Sequence, residues 1–127
     1  MRFVVFDASP YGNAADPRSD RLLAASVRAL GHTVTVVSAD ERGADDVVAD
    51  VVLVRADLRS ERDLASFAAR VAHLEARGLP CLPSAAGLRV AEDKRATDAA
   101  LLRAGVGTLP THGIDDGVPT TLPLPVA

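Results

Sequence analysis

The chain predicts an α/β domain built on a parallel sheet covered on both faces. Short apolar or β-branched runs alternate with segments of helical period. The helical segments close at glycine, and a strand pattern follows at once. Parallel neighbours need such crossovers, because a tight hairpin cannot return the chain in the same direction.

The elements follow in order. Residues 2–6, R-F-V-V-F, form a short apolar run of the kind buried on both sides of a sheet, and Asp7 stands at its carboxyl end. A Pro-, Gly- and Asn-rich stretch then reads as a loop. Ser19 is placed to cap a first helix in which Leu22, Leu23, Val27 and Leu30 recur at helical spacing, with Gly31 as its stop. Residues 33–37, T-V-T-V-V, give the second strand. Residues 39–49 are acidic, with room for a short helix, and residues 50–55 give the third strand. Ser60 opens a second helix with Leu64, Phe67, Val71 and Leu74 on one stripe, ended by Gly78. Residues 79–82 give a fourth strand, kept short by Pro80 and Pro83. A helical turn over residues 85–90 leads into a helix at 92–104. Beyond Thr111 no period is sustained and Pro119, Pro123 and Pro125 crowd the chain, so residues 112–127 read as a linker, a loop or a frayed strand. The sheet has four strands, or more if residues 106–126 pair.

Composition narrows the function classes. A chain of 127 residues with 48% hydrophobic content is one domain with a real core. Aromatics are 3% and the net charge is −3, which argues against nucleic acid, since that partner wants a basic face and rings for stacking. A single phosphate ligand stays open, because it needs only a cation or two and backbone N–H groups. One cysteine, Cys81, excludes an internal disulfide, and its L-P-C-L-P setting reads as a small buried apolar residue rather than a reactive thiol. The first apolar run is too short for a signal peptide or a membrane span, so a cytoplasmic location is expected.

Chemistry-bearing patterns are few. Neither G-x-G-x-x-G nor G-x-x-x-x-G-K-[ST] occurs, and His32, His73 and His112 lie too far apart for a zinc spacing, so no metal ligand and no catalytic residue is assigned. His73 reads as a surface side chain, His32 as a junction residue, and Asp115–Asp116–Gly117 as a turn. In parallel α/β sheets ligands sit beyond the carboxyl ends of strands. Asp7, Arg55 and Asp57 fall there; Arg55 and Asp57 either pair with each other, face solvent or meet a ligand. Residues 91–111, A-E-D-K-R-A-T-D-A-A-L-L-R-A-G-V-G-T-L-P-T, place Lys94 in the first turn of a helix, with Asp93 and Thr97 four apart on one face. The helix N-terminus is already positive, so a lysine there is either an ordinary surface residue or one that shares an anion with the helix end.

This stretch resembles the boundary of the ATP-grasp ligases, where a D-K-x-x-T helix is followed by a leucine pair, a glycine and a P-x-T or L-P-T exit. Other pieces resemble the same group in the same order. D-A-S-P and S-D-R-L-L-A-A-S-V-R-A-L-G-H-T-V are similar to the start and first helix of bacterial glutathione synthetases. V-L-V-R-A-D is similar to their R-K-D segment, and T-L-P-T-H-G-I to the exit of ribosomal-protein glutamate ligases. The resemblance spans roughly residues 1–114. It implies a Rossmann-like, three-layer pre-ATP-grasp domain over residues 1–111, with a hand-over helix at 92–104 and residues 112–127 as a linker or the start of a missing ATP-grasp domain. Such enzymes use ATP with magnesium to activate a carboxylate as an acyl phosphate, which an amine then attacks. By this resemblance Lys94 binds ATP phosphates, while Asp7, Arg55 and Asp57 lie on the substrate side. The pattern also departs from the family. L-P-L-P-V-A stands where the strand with the second ATP lysine would begin, and the glycine-rich loop and acidic magnesium ligands have no counterpart. The expectation is therefore an N-terminal, substrate-side domain of a carboxylate–amine ligase. It is inactive alone, does not hold ATP tightly and is completed by an ATP-grasp domain in cis or in trans. The alternative is a freestanding α/β binding or dimerisation module without catalysis, with a homodimer as its natural assembly.

Overall fold

In the computed structural model, which describes residues 1–8, 17–56, 58 and 60–108, four parallel strands form one sheet. They are β1 (Arg2–Asp7), β2 (Thr33–Ser38), β3 (Val51–Arg55) and β4 (Cys81–Leu82), in the order β2-β1-β3-β4. The α-helices are α1 (Pro17–Ala29), α2 (Glu61–Ala76), α3 (Ala85–Glu92) and α4 (Lys94–Arg103). A 3-10 turn at Ala44–Asp46 stands in the β2–β3 connection. This is the α/β, Rossmann-like three-layer arrangement that the alternation predicts. The expected loop exit at Thr111 and the tail at 112–127 lie outside the described residues.

Successive side chains of β1 point to opposite faces, and each face meets a different layer. On one side Val5 and Val34 are buried with Ala24 and Val27 of α1, and Phe3, Leu23 and Leu53 pack around them. On the other, Val4, Phe6, Val52 and Val54 are buried with Phe67, Ala68, Val71 and Leu74 of α2 and with Leu88 of α3. Phe6 and Phe67 stack with centroids 5.6 Å apart and ring planes 9° from parallel. The stripe read for α2 is therefore its core face. The stripe read for α1 is shifted. Leu22 and Leu30 are exposed, and Asp20, Leu23, Ala24 and Val27 turn inward. Helix α1 also starts before Ser19, which lies within the first turn. Proline is well suited to open a helix, since the N–H it lacks would have had no partner there.

The turns out of α1 and α2 repeat one device. Gly31 at φ 82° and Gly78 at φ 85° take the left-handed conformation that a Cβ disfavours. His32 N–H then donates to Val27 O (3.3 Å), and Leu79 N–H to Leu74 O (3.2 Å), closing the last carbonyls of each helix. Ser60 caps α2 by accepting from Asp63 N–H at 3.2 Å. The fourth strand is shorter than the four residues expected, because Pro80 and Pro83 bracket it and carry no N–H for a ladder. The helical turn expected at 85–90 runs on to Glu92. The next helix starts at Lys94 rather than 92, because Asp93 is extended at φ −101°, ψ 109°.

No full helix crosses from β2 to β3, and side chains secure that stretch instead. Arg70 of α2 donates to Asp45 at 2.9 Å, and Arg77 donates to the carbonyls of Asp45 and Val47. Asp50 accepts from the backbone N–H of Arg2 at 2.7 Å and from its guanidinium at 3.2 Å. The backbone bond first, and then the guanidinium, hold the Asp50 carboxyl below its usual range. No described helix is long and apolar enough to cross a membrane.

Phe67 is fully buried at the centre of the larger core. Phe67→Ala is expected to cost about 3–5 kcal/mol of stability, read as a lowered urea midpoint at unchanged slope. A loss under about 1 kcal/mol would mean that the ring stack is not where the core is held.

Candidate functional site

The strand order reverses between β1 and β3: the chain passes from β1 to one side, then returns to build on the other. A crevice opens beyond the carboxyl ends of the strands at such a point. Asp7 ends β1 and Arg55 ends β3, and the parallel register sets them opposite each other. Ala8 N–H donates to Arg55 O (3.0 Å) and Ala39 N–H to Asp7 O (2.8 Å), so backbone bonds hold both strand ends. Asp7 is 7% exposed.

A third residue joins them. Arg55 Nε donates to Asp20 Oδ1 at 3.1 Å, and Asp20 is 5% exposed while the Arg55 side chain is 46% exposed. Two buried carboxylates and one half-exposed guanidinium thus gather at the switch point. The arrangement is suited to a polar ligand with both cationic and anionic groups, since the arginine fork pairs with carboxylates and buried carboxylates with cations. Sequence reasoning placed Asp7 and Arg55 here and missed Asp20. A signal was available: Asp20 begins the i, i+3, i+4, i+7 stripe that Leu23, Ala24 and Val27 continue, and a charge on a buried stripe calls for a partner. Asp57 lies outside the described residues.

Lys94 is in a different place. Helix α3 runs back along α2. Its start is tied to Glu75 near the end of α2, through Ala85 N–H at 3.2 Å, and its last residues reach Glu61 at the beginning of α2. There an open groove of about 640 Å³ is bounded by Glu61 and Leu64 of α2, by Arg89 and Glu92 of α3, and by Asp93, Lys94 and Arg95. A smaller hollow of about 160 Å³ continues it toward Leu58 and Ser60. Neither Asp7, Asp20 nor Arg55 lines these hollows.

The mouth of α4 already carries an anion. Asp93 Oδ1 accepts from the N–H groups of Arg95 (2.9 Å) and Ala96 (3.1 Å), and so caps the helix. Thr97 donates its hydroxyl to Val90 O at 2.7 Å. Asp93 and Thr97, read as one face, thus fasten α4 to α3, while Lys94 is exposed on the groove. Three carboxylates and three cations line that groove, so a phosphate would meet Lys94 within a mixed field. Among the described residues no group of three His, Cys, Asp or Glu side chains is placed to hold a metal ion.

The remaining candidates take structural places. Cys81 is buried; burial first, and then the charge of Glu75, push its thiol up to about 11. His32 lies against Phe3 with ring centroids 5.3 Å apart, and His73 is exposed on α2. His112 and Asp115–Asp116–Gly117 lie outside the described residues. No protein-family model matches the chain, and no curated protein matches it.

Arg55→Ala removes the cation beside a buried carboxylate and is expected to destabilise the fold by about 1–3 kcal/mol, with Arg55→Lys losing less; urea unfolding of the two variants measures the difference. The Cys81 thiol is expected to resist iodoacetamide in the native protein at pH 8 and to react at once in denaturant, because only the thiolate attacks; mass spectrometry of the alkylated chain reads this.

Proposed function

We propose that this chain is the N-terminal, substrate-side domain of an ATP-dependent carboxylate–amine ligase that works through an acyl phosphate. The observation that supports this reading best is the setting of Lys94. It stands exposed at the first residue of α4, beside an open groove, on a helix with no buried residue that packs on α3. In this reading α4 is a hand-over helix whose lysine meets a nucleotide held mainly by a neighbouring domain. On the same reading the strand ends that carry Asp7 and Arg55 face the substrate side, and the resemblance assigns Asp57 to that side. Asp20 orients Arg55 there. The magnesium ligands and the second phosphate-binding cation come from that other domain, in cis or in trans. The chain's own part is to position the carboxylate and amine substrates and to present Lys94.

A second reading, a freestanding binding or dimerisation module, draws on the apolar side chains on and just beyond α4, where Leu102 and Val106 are 61% and 49% exposed.

The test starts from the native gene product purified from its own cells. Its intact mass is compared with 13.2 kDa, and ADP formation is followed with candidate acids and amines present. The expected result is a longer or complexed protein whose MgATP-dependent ligation falls about 10²-fold or more in Lys94→Ala, since a phosphate clamp acts on developing charge. The 127-residue chain alone is expected to show no ATP hydrolysis above background. Hydrolysis by that chain that requires Lys94 would overturn the proposal. So would a native product whose self-association and activity ignore both MgATP and Lys94, and that result would favour the binding module.

A further inference from the structure

Strand β2 is an edge of the sheet among the described residues, paired there with β1 alone. Its sequence, T-V-T-V-V-S, holds no charge, no proline and no glycine. Such an edge is a template for another strand, and natural sheets usually guard it with lysine, proline or a bulge. The guards here come from outside the strand. Thr33 N–H donates to Met1 O (3.1 Å), and Ala39 N–H beyond the strand donates to Asp7 O (2.8 Å), so the odd-numbered residues face β1. The even-numbered residues, Val34, Val36 and Ser38, therefore turn their N–H and C=O groups away from the sheet. At one end Arg28, from the last turn of α1, donates its guanidinium to Val34 O at 3.1 Å. At the other, Glu41 accepts from Ser38 N–H at 3.3 Å through its carboxylate, while its own N–H donates to Ser38 O at 3.0 Å.

We propose that Arg28 and Glu41 are edge guards that keep β2 from pairing with the β2 of a second copy of this chain. The choice of occupant follows from complementarity. An antiparallel β2–β2 pair centred on Val36 sets Val34 opposite Ser38 of the other copy. The acceptor that Arg28 occupies and the donor that Glu41 occupies are then the two groups that would bond to each other across the two-fold axis. Each guard supplies, within one chain, the bond that the second copy would make. Val36 lies between them, 40% exposed, with its N–H and C=O on the open side.

The experiment is sedimentation equilibrium of the 127-residue chain, wild type against Arg28→Met/Glu41→Ala, with circular dichroism to confirm the fold. The double variant is expected to associate to a dimer at least about tenfold more tightly than wild type, the range that one or two released hydrogen bonds provide. Adding Val36→Pro should return it to wild-type behaviour, because proline at an outward N–H spares the ladder to β1 and blocks the new strand. A folded double variant that associates no more tightly than wild type overturns the proposal, as does association that survives Val36→Pro. Amide exchange of the unmutated chain gives an independent reading at a concentration where it is monomeric: Val36 N–H should exchange far faster than Thr35 N–H. Equal protection at the two positions would also overturn it.

Discussion

The structure depends on β1 being enclosed. It pairs in parallel with β2 on one edge and β3 on the other, and residues 4–7 are buried. A strand in that position has no solvent face, so it must be apolar along its length and covered by helices on both sides. That requirement decides the rest. Val5 calls for α1, Phe6 calls for α2, and the chain must return to β1 from both directions. Asp7, Asp20 and Arg55 come together beside β1, where the strand order reverses. Asp7 is the one polar residue at the buried end of this strand, and its place follows directly from that enclosure.

The two layers over the sheet are unequal, and the difference shapes the surface. The side facing α2 carries the stacked rings of Phe6 and Phe67 and a second helix, α3, antiparallel to α2. The other side holds α1, whose inward face is narrow and includes a carboxylate. Polar straps make up for the missing helix between β2 and β3: Arg70 and Arg77 fix the turn from α2, and Arg2 fixes Asp50. These links are mostly exposed, and their worth lies in fixing the path of the chain more than in energy. The last described helix, α4, packs on α3 and brings Lys94 to a groove of mixed charge.

The candidate site was legible in part. Asp7 and Arg55 could be placed because strand ends and the carboxyl-end rule need only the alternation of elements. Asp20 could not be placed from strand ends, since it is on a helix and reaches Arg55 only after α1 packs on the sheet. Its position on the apolar stripe was the missed clue. Ser19 has the right side chain for a cap, but the backbone begins the helix at Pro17. Lys94 stands at the first residue of α4, and Asp93 caps that helix end.

What the sequence by itself determined is the class of fold. Strand runs, the stripe of α2 and the glycine stops are local, and period and backbone freedom express themselves wherever the segment ends up. The tertiary structure alone decided which strands form the sheet edges among the described residues, which carboxylate pairs with Arg55, and that Lys94 and the Asp7–Asp20–Arg55 cluster occupy separate places. Those outcomes depend on contacts between residues far apart in the chain. Register and packing choose such contacts, and no local pattern encodes them.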